Sequence, residues 1–103
     1  AVTGDLRIAL NDSSTDVRWN AAMSLAQLGD ASGSDMLMQL ADREYLAEFD
    51  LMSGEDRENV ITNAIHCLGL LKLARAKDHL AMLSEDDPSL RVRGAALAAL
   101  ELY

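Results

Sequence analysis

The sequence has few residues of the kinds that favour β-strands. Its 103 residues include one Trp, one Phe and two Tyr, and Val, Ile and Thr together number only ten. It has a single proline, and no run of about 20 apolar residues that could span a membrane. Leu and Ala, which are strong helix formers, supply 18 and 16 residues. The composition therefore predicts one all-α domain and argues against an all-β fold, disorder and a membrane protein.

Basic residues and cysteine are also scarce. Nine Lys and Arg stand against 17 Asp and Glu, for a net charge of −8. Because nucleic acids and anionic membranes are bound mainly through Lys and Arg, we expect neither as a partner. The lone Cys67 cannot form an internal disulfide, and without a signal peptide we expect a cytoplasmic protein. Because the sequence lacks an initiator Met and ends on Leu102-Tyr103, we expect residues 1–103 to be one domain excised from a longer protein.

The chain contains an internal repeat. Shifted by 43 residues, residues 17–40 match residues 60–83 at nine of 24 positions without a gap. The spacing of the matches marks one face of an α-helix. The repeated positions include Val17, Ala21 and Leu25, which recur as Val60, Ala64 and Leu68 and again as Val92, Ala96 and Leu100. The second interval is 32 residues, so the first contains an insertion of about 11, which we assign to residues 45–54.

Capping and turn residues divide the copies into three helix pairs, short then long, at residues 3–30, 34–72 and 74–103. The predicted helices run from Thr3 or Asp5 to Leu10, from Ser14 or Thr15 to Leu28, from Ser34 or Asp35 to Arg43, over 55–71, over 74–83, and from Asp87-Pro88 onward. We expect Gly29 to end the second helix in the left-handed conformation and Pro88 to take the first position of the sixth.

A stack of helix pairs needs a continuous core between neighbouring pairs. The predicted core consists of Val17, Ala21, Leu25, Leu28, Leu37, Leu40, Val60, Ala64, Leu68, Leu71, Leu80 and Leu83. An up-down helical bundle is the alternative. We prefer the stack because the repeat unit is a helix pair that recurs in one register.

The first copy resembles a HEAT repeat of the short, bacterial, PBS-lyase-like kind. In residues 11–30 the resemblance rests on Asp12, Val17, Arg18, Ala21, Leu25, Leu28 and Gly29-Asp30, and residues 87–100 repeat it through Val92, Arg93, Ala96 and Leu100. The middle copy departs from it, with Ile61 in place of the Arg and Lys72-Leu73 in place of Gly-Asp. The resemblance implies an α–α superhelix, a HEAT-like solenoid of about three helix pairs whose second helices line a concave face.

The resemblance also implies a ladder of Asp12, Arg18, Asp87 and Arg93 that links neighbouring repeats. An Arg can bridge helix-end carbonyls and a carboxylate at once, which makes a structural role reasonable. The functional alternative for these residues is anion binding.

Trp19 lies off the core stripe, two residues after Val17. Met23 follows one turn later, and Thr62 and His66 are the equivalent positions of the next copy. On the implied concave face these four residues would form one patch, in which Trp anchors a partner and Met adapts to it. We therefore predict a non-enzymatic scaffold that binds another protein. The alternative for Trp19 is ordinary packing against the terminal helix or the insertion.

Two enzymatic alternatives follow from the same resemblance. A phycobilin-lyase-like enzyme or accessory subunit would cradle a tetrapyrrole between Trp19, Met23 and His66. An alkylated-base DNA glycosylase of HEAT-like build would need a basic face, which the charge of −8 opposes. We predict no catalytic residue, cofactor or metal, because His66 and His79 lie on different helices and Cys67 is expected to be a small buried residue.

Two further segments are unusual in composition. Residues 45–54 mix apolar and acidic side chains, and they either extend the third helix and fold back on the stack or present Tyr45 and Phe49 to a partner. Residues 42–58 contain seven acids and two arginines, which favours a basic partner or only solubility. Residues 91–103 are apolar around nearly the whole circumference of the last helix, so we expect self-association there, or contact with further repeats.

Overall fold

All regular structure is helical in the computed structural model, which describes residues 2–103. Seven α-helices follow one another, and this part of the chain forms no strand. The prediction of an all-α domain is confirmed. The helices are α1 (Val2–Ala9), α2 (Thr15–Gln27), α3 (Ser34–Leu40), α4 (Arg43–Leu46), α5 (Gly54–Leu71), α6 (Lys77–Asp86) and α7 (Leu90–Leu100), and single 3-10 turns at Ala31–Gly33 and Ala74–Ala76 precede α3 and α6.

The ends of the long helices follow local signals. The hydroxyl of Ser14 accepts the Val17 N–H at the start of α2 at 3.5 Å, a long contact, and Gly29 after its end has a φ of +79°. Lys72, which the repeat aligns with Gly29, also adopts a left-handed conformation, with a φ of +51° at the end of α5. Two repeat-equivalent residues thus end their helices in the same way, although only glycine does so without steric cost.

Some predicted helix boundaries are wrong. α6 begins at Lys77 and ends at Asp86, whereas the prediction placed this helix over 74–83. Pro88 does not occupy the first position of the last helix, because α7 begins at Leu90 and Ser89 caps it by accepting the Val92 N–H at 3.3 Å. The third helix ends at Leu40 rather than at Arg43. Asp42 instead caps a new short helix, α4, by accepting the Glu44 N–H at 2.9 Å. At both Ser89 and Asp42 a side-chain cap sets where the helix begins.

The short helices pack against the long ones, and α3 contacts both α2 and α5. Each of the short helices α1, α3 and α6 contacts the next long helix along the chain, which is α2, α5 or α7 respectively. The long helices contact each other in chain order, so α5 lies between α2 and α7. The molecule measures 39 × 34 × 17 Å, and its smallest dimension leaves room for about two layers of helices. No helix of residues 2–103 combines the length and apolar character needed to cross a membrane.

The core lies between these helices. Eight of the twelve predicted core residues are buried: Ala21, Leu25, Leu37, Leu40, Ala64, Leu68, Leu80 and Leu83. Val60 and Leu71 are partly buried and pack against this core. The prediction was wrong for Val17 and Leu28, which are 39% and 57% exposed. Both lie at the ends of α2, and its neighbour α1 has only eight residues and none that is buried.

Close helix contact depends on small residues. A Cβ on Gly33 would lie 2.8 Å from the Cα of Ala22, and one on Gly69 would lie 3.0 Å from the Cβ of Ala99. Gly33 thus lets the turn before α3 approach α2, and Gly69 lets α5 approach α7. A larger side chain at either position would force the helices apart.

Candidate binding groove

Trp19 is the centre of an aromatic cluster. Its ring centroid lies 5.2 Å from that of Phe49 in an edge-to-face arrangement and 6.5 Å from that of Tyr45. Trp19 is only 8% exposed, and the partly buried Tyr45 and Phe49 belong to the 45–54 insertion. The insertion therefore folds back on α2 and packs against Trp19. This arrangement agrees with the packing alternative for Trp19 and with the fold-back alternative for residues 45–54. Aromatic pairs of this geometry contribute about 0.5–1.5 kcal/mol beyond area burial.

The surface beside Trp19 is a groove formed by two adjoining clefts. The first, of about 360 Å³, lies between the start of α2 and residues 49–52. The second, of about 420 Å³, lies between α2 and α5. Asp16, Trp19 and Met52 line both clefts, so the two form one surface, which we call the Trp19 groove.

The groove combines an apolar lining with acidic and amide groups. Met23, Met52 and Val60 contribute the apolar side chains. The carboxylates are those of Asp16, Asp50 and Asp56, and the amides are those of Asn20, Asn59 and Asn63. Among the described residues, no Lys, Arg or His lines either cleft. The groove is therefore adaptable in shape and negative in charge.

The indole nitrogen of Trp19 is an unpaired donor. Nε1 is buried, and no acceptor for its N–H is found within residues 2–103. A buried donor without a partner costs about 1–3 kcal/mol, so most native proteins pair such groups. Trp19 has this unpaired N–H and also lines both clefts of the groove.

The structure separates the four residues of the predicted patch. Trp19 and Met23 line the second cleft of the groove together. His66 is exposed and lines a different cleft, of about 280 Å³, against Ala95, Ala98 and Leu102 of the chain end. Thr62 lines none of these clefts, and its hydroxyl donates to the Glu58 carbonyl at 2.8 Å. A tetrapyrrole held between Trp19, Met23 and His66 would have to bridge two separate clefts.

The other residues considered for chemistry are held in structural contacts. Cys67 is buried, its Sγ lies 3.9 Å from the Met23 carbonyl oxygen, and burial raises the pKa of its thiol. His79 Nε2 lies 2.9 Å from the Ala41 carbonyl oxygen. Over residues 2–103 no three His, Cys, Asp or Glu side chains are grouped to hold a metal ion. A raised thiol pKa disfavours the nucleophilic thiolate.

The ladder arginines bind within their own repeats. Arg18 donates to the Asp12 carbonyl at 2.8 Å and to the Thr15 hydroxyl at 3.1 Å. Arg93 donates to the Asp87 carbonyl, which is the equivalent contact in the third copy. Both arginines lie in the first turn or so of a long helix and bind a carbonyl of the segment that precedes that helix. Neither of these bonds reaches a neighbouring repeat.

A link between repeats is made instead by Arg43, which sequence reasoning missed. Its Nε and Nη2 donate to the two carboxylate oxygens of Asp87 at 2.7 and 2.9 Å. Although burial by itself would raise the pKa of Asp87, the hydrogen bonds from Arg43 and from the Ser89 N–H hold it below the usual carboxyl value. Asp12 binds the Ser14 N–H in the same way, but it is exposed and forms no ion pair within residues 2–103.

The middle copy also retains the capping arginine, one turn earlier than the alignment places it. Arg57, not Ile61, donates to a preceding carbonyl, that of Phe49, at 2.9 Å. Each long helix is capped by a serine, with an arginine four residues later: Ser14 and Arg18, Ser53 and Arg57, Ser89 and Arg93. This spacing is visible in the sequence. The alignment of Val17 with Val60 places Ile61 opposite Arg18 and therefore conceals Arg57. The reason is that α5 begins about one turn earlier, relative to this alignment, than α2 does.

Comparisons with protein-family models, with curated proteins and with solved structures find no match for this chain. The HEAT-like resemblance therefore rests on the residues of the repeat.

Proposed function

We propose that this domain is a non-enzymatic scaffold that binds another protein, built as a short solenoid of three HEAT-like helix pairs. The repeated Val, Ala and Leu positions support the solenoid, as do the contacts of α5 with both α2 and α7. In such a stack the long helices form a continuous surface, which suits the recognition of an extended partner. The free, buried Cys67 is compatible with a reducing compartment such as the cytoplasm.

The Trp19 groove is the observation that carries the proposal. Ligand sites are concave, largely apolar and furnished with a few polar groups, and this groove has all three properties. Met23 and Met52 can reshape the lining around a partner, whereas a catalytic site needs a fixed constellation of reacting groups. Trp and Met are also enriched where proteins bind one another.

A substitution that fills the groove tests the proposal without disturbing the core. Asn63 is exposed and lines the second cleft, so Asn63→Arg places a long side chain across it. Gln27→Arg adds the same charge at an exposed position of α2 outside both clefts. We expect wild type and Gln27→Arg to recover the same proteins from a lysate of the source cells, and Asn63→Arg to lose at least one of them.

A protein recovered in this way must then bind directly. After purification it should bind wild type saturably in calorimetry, and Asn63→Arg should weaken this binding by at least about tenfold, the effect of losing roughly 1.4 kcal/mol of binding free energy. Equal binding by both variants would exclude the groove as the docking surface.

A further inference from the structure

We propose that the Trp19 groove receives an extended, basic segment of its partner, in which Lys or Arg side chains alternate with apolar ones. This inference rests on the proposed function, because it names the chemical class of the partner at the same groove. It is carried by three features: the charge of the rim, the unpaired indole donor and the apolar lining.

The rim of the groove carries negatively charged carboxylates that are not engaged in ion pairs within residues 2–103. Asp16, Asp50 and Asp56 all line the groove. None of the three takes part in an ion pair of residues 2–103, where the pairs are Arg7–Asp30, Arg43–Asp87 and Arg75–Asp35. No lining residue among those described is basic. Complementary charges favour a cationic segment and repel an acidic one.

The indole donor favours a peptide backbone as the occupant. Trp19 is more than nine-tenths buried, it lines both clefts, and its Nε1 lacks an acceptor among the described residues. Residues 49–52 cover this region without regular structure, and the side chain of Leu51 is fully exposed. A small shift of this cover would let a carbonyl oxygen of the bound segment accept the Trp19 N–H.

The apolar lining of the groove explains why apolar side chains should alternate with basic ones in the bound segment. Met23, Met52 and Val60 are partly buried and border the same cleft as Asp16 and Asp56. Successive side chains of an extended chain point to opposite sides. A segment that packs leucine-like side chains on the partly buried methionines leaves its alternate side chains on the solvent side, where long Lys or Arg side chains can reach the exposed carboxylates of Asp16, Asp50 and Asp56.

The probe is a short fluorescein-labelled peptide of alternating Arg and Leu, whose binding to the full chain is followed by fluorescence polarisation at physiological ionic strength. Two peptides of equal length, with Gln or Glu in place of Arg, test charge. The groove variant is Asp16→Asn/Asp50→Asn/Asp56→Asn. The matched control, Asp5→Asn/Asp78→Asn/Glu101→Gln, removes the same net charge at exposed positions outside the groove.

We expect the Arg peptide to bind wild type at least about tenfold more tightly than the Gln peptide does, and the groove variant to lose this preference. The control variant should bind within about twofold of wild type, because its three carboxylates line neither cleft and exposed charges that do not contact the peptide are largely screened at physiological ionic strength. Equal weakening of both variants would indicate unspecific attraction to the net charge and would overturn the inference.

Two single variants keep the test decisive if the triple variant unfolds. Asp50→Lys changes a residue of the irregular segment, outside both α2 and α5, and leaves two lining carboxylates opposed by one cation, so it should reduce the preference for Arg over Glu. Trp19→Phe keeps an aromatic ring and removes the N–H, and it should weaken the Arg peptide about threefold or more, in line with the loss of one hydrogen bond. Unchanged binding by both would contradict the inference.

The proposed basic segment can be wrong while the proposed protein-binding function is correct. If the Gln or Glu peptide binds the groove more tightly than the Arg peptide, the basic segment is wrong and the groove remains a protein-binding surface. If Asn63→Arg loses no protein and the peptides bind no better than to the groove variant, the proposed function fails as well.

Discussion

Arg43 and Asp87 join the start of α4 to the end of α6 through a bidentate ion pair. The two N–H···O distances are 2.7 and 2.9 Å, and Asp87 is only 4% exposed. The Asp87 carboxylate also accepts the Ser89 N–H at 3.0 Å, and its carbonyl accepts Arg93. One aspartate thus connects the start of α4 with the turn that opens α7.

Removal of Arg43 should destabilise the domain. Arg43→Ala leaves the buried Asp87 carboxylate without its main partner, a change that costs about 3–5 kcal/mol for fully buried pairs. Because the Arg43 side chain is 35% exposed, we expect about 2–3 kcal/mol. Urea denaturation measures the effect. Arg91→Ala, at an exposed arginine without an ion pair in residues 2–103, should change stability by less than about 0.5 kcal/mol.

The same pair should make stability depend on pH. The folded-state pKa of Asp87 is lowered, so its contribution is complete above the ordinary carboxyl pKa near 3.8 and is lost as pH falls through the folded value. Asp30, whose pKa is lowered to about 2 by hydrogen bonds from Ser32 and Arg7, acts in the same direction. The free energy of unfolding should fall less steeply below pH 4 in Asp87→Asn than in wild type. Parallel curves would contradict this assignment.

Two glycines should respond to alanine in opposite directions. Gly33→Ala places a Cβ 2.8 Å from the Ala22 backbone and should cost about 1–3 kcal/mol. Gly94 lies inside α7 with open space around it, so Gly94→Ala should stabilise by about 0.5–1 kcal/mol. Thermal unfolding of the two variants tests both signs, and a stabilised Gly33→Ala would refute the close contact.

Arg18 should be structural. Arg18→Ala removes hydrogen bonds to the Asp12 carbonyl and the Thr15 hydroxyl, which should lower stability by about 1–2 kcal/mol. Binding to the partner should not change once the variant is folded. An unaltered unfolding midpoint together with lost binding would favour the anion-binding alternative.

Self-association through α7 stays a prediction. Its inner side buries Val92, Ala96 and Ala99, whereas Leu97 is 55% exposed on the outside. Sedimentation at rising concentration should reveal a dimer of two such faces, and Leu97→Lys should abolish it, because the charge would be buried in the contact. Ile8→Lys, at an exposed position of α1, is the control. A monomer at all concentrations would show that this face needs no second copy.

Features that depend only on neighbouring residues could be predicted from the sequence. The all-α class, the positions of α2 and α5 and the left-handed end at Gly29 follow from helix propensity, serine caps and Leu/Ala spacing. These signals act over a few residues, so they can be identified without knowledge of the tertiary structure. Even the serine–arginine caps were present in the sequence, although a rigid alignment concealed the one at Arg57.

Contacts between side chains far apart in the sequence depend on the packing of the whole fold. Trp19 is buried because Phe49, 30 positions later, folds back on it, and the repeat pattern carries no information about how an insertion packs. Arg43 and Asp87 are 44 residues apart and occupy no equivalent positions. Val17 and Val92 are equivalent, yet one is exposed and the other buried, because burial depends on which helices surround a residue. The groove arises from the same long-range packing of α2, α5 and residues 49–52.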